Sequence, residues 1–135
     1  MDLGLSGKKA IITGSTRGIG RAIANLLADE GVDLGICSRN QAEVDSTVAE
    51  LSAKGVKVVG SVVDVADKAT YQDWIADVGK QLGGIDIFVP NVSAGGGNMS
   101  EEGWEANFNV DLLGTTRGVE ASMPFLEKSS AAAIV

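Results

Sequence analysis

The stretch that decides the fold is Ala10-Ile11-Ile12-Thr13-Gly14-Ser15-Thr16-Arg17-Gly18-Ile19-Gly20-Arg21-Ala22-Ile23-Ala24-Asn25-Leu26-Leu27. Its first four residues are a short apolar run of strand character. Ile19, Ala22, Ile23, Leu26 and Leu27 then recur at the i, i+3, i+4, i+7, i+8 spacing of a helix with one buried face. Between strand and helix lies Gly14-Ser15-Thr16-Arg17-Gly18-Ile19-Gly20. The first glycine permits a tight turn, the second lets the backbone come close to a pyrophosphate, and the third lets helix pack on strand. The N–H groups of the helix start then face the phosphates with a partial positive charge. The plainer alternative is a glycine-rich turn without a ligand.

Beyond this stretch the same alternation repeats. Strands are expected at Ala10–Thr13, Leu34–Cys37, Val56–Val63, Ile85–Val89 and Ala132–Val135. Most are apolar without strict alternation, as in parallel strands covered on both faces. The second helix is expected over Ala42–Ala53, with Val44, Val48 and Leu51 inward. The third is expected over Asp67–Leu82, with Trp74, Ile75 and Val78 inward, Asp67 as its N-cap and Gly83-Gly84 as its stop. A fourth, from Ser100 to Glu127, carries Trp104, Phe108, Leu112 and Val119 on one stripe, and Pro124 near its end. Alternating strands and helices imply an α/β fold, a doubly wound parallel sheet with ligands at the carboxyl ends of its strands.

Composition agrees and excludes much. The 135 residues make one domain, numbered 1–135, with 44% hydrophobic and 21% charged residues. Eighteen are glycine, about twice the usual share. A net charge of −7 speaks against nucleic acid as a partner. There is no histidine, so imidazole base chemistry and most zinc sites drop out, and no metal site is expected. Cys37 is the single cysteine and makes no internal disulfide. No apolar run reaches the ~20 residues that span a bilayer. A cytoplasmic protein without a membrane partner is the expectation.

The spacing Thr13-Gly14-x-x-x-Gly18-x-Gly20 is wider than the Gly-x-Gly-x-x-Gly of most dinucleotide folds. It resembles the short-chain dehydrogenase/reductase family, and the resemblance runs from Gly7 to Val135. It implies a Rossmann-like sheet, a nicotinamide dinucleotide held at Gly14 to Gly20, and hydride transfer between the cofactor and a small alcohol or carbonyl substrate. It also implies a homo-oligomer, dimer or tetramer, in whose assembly the fourth helix takes part.

Cofactor preference is read at the end of the second strand. Asp33 stands at the wrong end of that strand and reads as a turn residue. At the far end Ser38 occupies the place of the Asp found in NAD-preferring members, and Arg39 follows. A guanidinium there pairs with a 2′-phosphate, where an Asp would repel it. With Arg17 close by, NADP(H) is the expected cofactor and NAD(H) the alternative. Two solvated surface arginines are the competing account. Asp64 and Val65, after the third strand, match the family pair that contacts adenine; Asp64 as a helix cap is the other reading. After the fourth strand, only Asn91 of Pro90-Asn91-Val92-Ser93 matches the family's Asn-Asn-Ala-Gly. Gly95 to Gly97 then either permits close approach or is a flexible loop.

In the family, Trp is followed by Val-Asn-Leu-x-Gly. Here Trp104 is followed by Val110-Asp111-Leu112-Leu113-Gly114, which puts Asp111 at the position of a catalytic Asn that takes part in a proton relay. An Asp without catalytic role is the alternative. The family's Ser and Tyr-x-x-x-Lys do not occur among the 135 residues: the single tyrosine, Tyr71, is followed four residues on by Ile75. The sequence is therefore expected to be the cofactor half of an oxidoreductase, C-terminally truncated within the fifth strand and inactive by itself. The competing readings are a dinucleotide-binding or regulatory module without catalysis, and an interaction protein that uses an open sheet edge.

Overall fold

The computed structural model describes residues 1–96 and 99–135. Five strands form one parallel sheet: β1 (Lys9–Ile12), β2 (Asp33–Ser38), β3 (Val58–Val62), β4 (Ile87–Val89) and β5 (Ala133–Ile134), in the order β3-β2-β1-β4-β5. The order turns back on itself between β1 and β4, so the sheet is doubly wound as the alternation implied. Register puts Ile11 beside Gly35 on one flank and beside Phe88 on the other.

Two cores follow from strand alternation. Ile11, Cys37 and Phe88 face one side, where they meet Tyr71, Trp74, Ile75 and Val78 of α3 (Lys68–Leu82) and Leu126 at the end of α5 (Leu113–Leu126). Ala10, Ile12, Leu34 and Ile36 face the other, against Ala24 and Ala28 of α1 (Gly18–Asp29) and Leu51 of α2 (Gln41–Ser52). Of the expected inward residues, Val44, Leu51, Trp74, Ile75 and Val78 are buried, and Val48 is partly buried against the core. Caps fix where α2 and α3 begin. Asn40 accepts from Glu43 N at 3.0 Å ahead of α2. Asp67 accepts from Thr70 N at 3.3 Å ahead of α3, the capping role expected of it.

Several expectations need correction. On α1, Ile19 is 75% and Leu26 67% exposed, and Ala22 is also exposed, while Gly20, Ala24 and Ala28 are buried. The helix lies on the sheet through its smallest residues, which brings its backbone close and turns Ile19 and Leu26 outward, while Ile23 and Leu27 of the same stripe stay partly buried against the core. The Ser100–Glu127 helix is not continuous: α4 (Glu101–Asn107) and α5 are joined by a π-helical segment, Phe108–Leu112. The wider turn rotates α5 relative to α4, so Trp104, Phe108 and Leu112 face solvent and Val119 packs on the core. Burial on both faces fails at the sheet margins, where β3 is only partly covered and β5 is exposed. Asp33, read as a turn residue, is instead the first residue of β2 and accepts from Lys57 N.

Candidate functional site at the carboxyl ends of the strands

The loops after β1, β2, β3 and β4 open on a cavity of about 750 Å³. Eight of the expected site residues line it: Gly14, Thr16, Arg17, Ser38, Arg39, Asp64, Val65 and Asn91. Ser15, Gly18, Ile19, Gly20 and Asp111 lie outside its lining. Sequence reasoning passed over Glu43 and Asn40, which the capped start of α2 brings to the same rim.

The loop after β1 is held from three sides. Thr13 N donates to Val89 O and Ser15 N to Cys37 O, each at 3.1 Å, which continues the β1 pairing into the loop. Ser15 is fully buried; its hydroxyl donates to Ile12 O at 2.8 Å and accepts from Cys37 N at 3.1 Å. Asn91 closes the other side. Its Nδ2 donates to Thr13 O and Gly14 O, each at 3.1 Å, and its main-chain N donates to Thr13 Oγ1 at 2.9 Å. Asn91 thus ties the β4 loop to the β1 loop where strand order reverses. That a single side chain could bridge two loops so far apart in the chain is not visible in sequence, nor is the buried hydroxyl of Thr13.

Gly14 has φ +63°, and a Cβ there would lie 2.8 Å from Val92 Cγ2. At Gly20 a Cβ would lie 2.2 Å from Gly14 O and 2.5 Å from Asn91 Nδ2. The third glycine therefore does what its place in the motif requires: helix and loop come too close for any side chain.

The electrostatics are uneven. Arg17 and Arg39 are exposed and have no ion pair or side-chain hydrogen bond among the described residues. Arg21, one turn into α1, is already engaged by Thr47 and Glu50 of α2. β2 ends on Ser38 rather than a carboxylate, and its Oγ accepts from Asn40 N at 3.2 Å. Asp64 Oδ1 accepts from Ala66 N at 2.9 Å and turns the chain after β3. Burial pushes the Cys37 thiol up to about 12, against a smaller opposing pull from a Gly14 backbone bond, so the thiol stays protonated at neutral pH.

Asp111 lies in the π-helical segment and is not itself part of the cavity lining, although its neighbour Val110 and its bonding partner Ala94 are. Its carboxylate accepts from Ala94 N at 3.0 Å, and its carbonyl accepts from Thr115 Oγ1 at 2.7 Å. Tyr71 is 1% exposed and its hydroxyl donates to Gly114 O at 2.9 Å. Burial raises its pKa above the ordinary phenol value. It holds α3 to α5. Of the glycines after β4, Gly95 and Gly96 are exposed with open space where a Cβ would stand. Gly97 lies outside the described residues.

Comparison with known proteins agrees with this geometry. Residues 8–135 match the family model for short chain dehydrogenases. The isoepoxydon dehydrogenase of Penicillium expansum is 34% identical over 98% of this chain and 52% of its own length. The structure of L-sorbose reductase from Gluconobacter frateurii, complexed with NADPH and L-sorbose, superposes with a TM-score of 0.92 at 32% identity, covering 99% of this chain and 53% of that one. Carveol dehydrogenase from Mycobacterium avium, in complex with NAD, gives 0.88 at 25% identity over 96% of this chain and 53% of that one. The chain spans about half the length of the relatives it matches. With its doubly wound sheet and its glycine loop at the switch point, the chain belongs to the short-chain dehydrogenase family.

Proposed function

We propose that residues 1–135 form the dinucleotide-binding half of an oxidoreductase that moves a hydride between NADP(H) and a small alcohol or carbonyl compound. The observation that carries this reading is the pair of unpartnered guanidinium groups, Arg17 and Arg39, beside a serine at the end of β2. Two free cations suit a 2′-phosphate, and the absence of a carboxylate at Ser38 leaves nothing at that position to repel it. The cradle fits the rest of the cofactor: Gly18 has φ +60° and open space where a Cβ would stand, and Gly14 and Gly20 let loop, Asn91 and helix pack too closely for a side chain. In this reading Gly14 to Gly20 hold the diphosphate, with Ser15 and Asn91 keeping the loop in shape. Asp64 and Val65 take the adenine. The bound dinucleotide supplies or accepts the hydride.

Within these residues the acid/base groups of the family reaction have no counterpart. Tyr71 is spent on the α3–α5 contact, and Asp111 is bonded through both its carboxylate and its carbonyl. We therefore assign Asp111 to positioning the β4 loop. The 135-residue chain should bind NADPH without turning over substrate, as a dinucleotide-binding module would. The reading also includes a second copy of the chain as partner and a cytoplasmic setting.

Titration with NADPH and NADH, followed by nicotinamide fluorescence, tests the reading. Saturable binding with NADPH the tighter ligand is expected. Arg39→Asp should weaken NADPH at least ~10-fold, the loss of one charge-assisted pair, and leave NADH nearly unchanged. Equal losses for both cofactors would overturn the NADP assignment, and no binding of either would overturn the dinucleotide reading.

A further inference from the structure

We propose that Glu43 is a second determinant of dinucleotide choice, opposed in sign to Arg17 and Arg39, which holds down the preference for a 2′-phosphate and keeps NAD(H) usable. This rests on the dinucleotide reading of the cavity and refines it. Four charged side chains line that cavity: Arg17, Arg39, Asp64 and Glu43. Neither the glycine motif nor the end of β2 points to Glu43. It arrives from the first turn of α2, where its main-chain N–H is capped by Asn40 at 3.0 Å.

The placement of its carboxylate is fixed from across the cavity. Thr16 Oγ1, in the phosphate loop, donates to Glu43 Oε2 at 2.9 Å. Among the described residues Glu43 makes no ion pair with Arg17 or Arg39, although all three line the same space. Its charge is therefore not cancelled by the cations beside it. A carboxylate in this position acts differently on the two cofactors. A 2′-phosphate is an anion and is repelled. A ribose 2′-hydroxyl is a donor, and an acidic side chain is the usual acceptor for it in dinucleotide folds. With Ser38 offering no such acceptor, Glu43 is the carboxylate closest in role to the one that β2 lacks.

The test compares the wild-type chain with Glu43→Gln and Glu43→Ala, each titrated with NADPH and with NADH. Gln keeps an acceptor for Thr16, and neither change touches the main-chain N–H that Asn40 caps. Both variants should bind NADPH on the order of fivefold more tightly at low salt, the effect of removing one like charge near the phosphate. NADH binding should stay level or weaken. The gain should shrink near 0.5 M salt, where screening shortens to about 4 Å. If the wild type binds and the NADPH-to-NADH ratio stays within about twofold in both variants, the role of Glu43 is refuted while the dinucleotide reading stands. If the wild type binds neither nucleotide, that reading itself falls, and the role of Glu43 with it. Should the alanine variant melt early, the glutamine variant decides alone.

Discussion

Gly18 and Gly20 belong to one motif yet are glycine for different reasons. At Gly18 the backbone has φ +60° and a Cβ would meet nothing within 4 Å, so the demand is conformational. At Gly20 the backbone is helical and the demand is steric, since a Cβ would sit 2.2 Å from Gly14 O. The two substitutions should therefore differ. Gly18→Ala is expected to lose about 1 kcal/mol, the penalty for a left-handed L-residue. Gly20→Ala should lose about 2 to 3 kcal/mol, because backbone rather than a flexible side chain must move. It should also abolish NADPH binding, as the loop opens. Urea melts of both variants check this, and equal losses would mean that the close approach at Gly20 is not real. The motif spacing was legible in sequence because backbone geometry alone fixes it. Thr16–Glu43 and Asn91–Thr13 were not, because each joins residues that only the assembled sheet brings together.

At the scale of elements, the amino end of the sheet is locked by Asp86, just ahead of β4. Its carboxylate accepts from Lys9 N at 2.9 Å and from Ser129 Oγ at 2.6 Å, joining the start of β1 to the segment that leads into β5. Partial burial pushes its pKa up, but the Ser129 and Lys9 bonds and the charges of Lys8 and Lys9 outweigh that and hold it below the usual Asp value. A folded-state value below the unfolded one means that the contribution is complete above the unfolded pKa of about 3.9 and is lost as pH falls through the folded value. Asp86→Asn should lose on the order of 1 kcal/mol at pH 7, and its thermal stability should converge with that of the wild type as pH drops toward 2. Parallel curves from pH 7 to pH 2 would show that the carboxylate's charge contributes nothing. Elements with a cap and a plain apolar face, such as α2 and α3, could be read from sequence. α1 and the Ser100–Glu127 region could not be, for related reasons. Periodicity says which residues share a face, but not which way that face points when a helix docks through Gly20, Ala24 and Ala28. It also assumes one constant pitch, which the π-helical segment breaks.

For the molecule as a whole, the strand order explains why so much of the site could be anticipated. A doubly wound sheet sends every loop that succeeds a strand to one end, so residues read separately at Gly14, Ser38, Asp64 and Asn91 had to converge. What topology leaves open is which outer surfaces stay bare. Trp104, Phe108 and Leu112 recur every four residues and are 66%, 53% and 52% exposed. A π turn takes about 4.4 residues, so Phe108 and Leu112 stay nearly in line across it, and the three form one apolar stripe on the outside. Aromatic and aliphatic side chains gathered in this way mark contact surfaces rather than solvated helix faces. If the partner is a second copy of the chain, the stripe meets its own image about a two-fold axis, and each copy must cover about 800 Å² for a stable interface. Sedimentation velocity from about 1 to 100 μM should then show a shift from monomer toward dimer. Phe108→Ser, which exchanges an already exposed ring for a polar group and leaves the core untouched, should move that transition at least about tenfold higher in concentration. A wild-type chain that sediments as a monomer throughout, or a variant that associates equally well, would rule this face out as the interface.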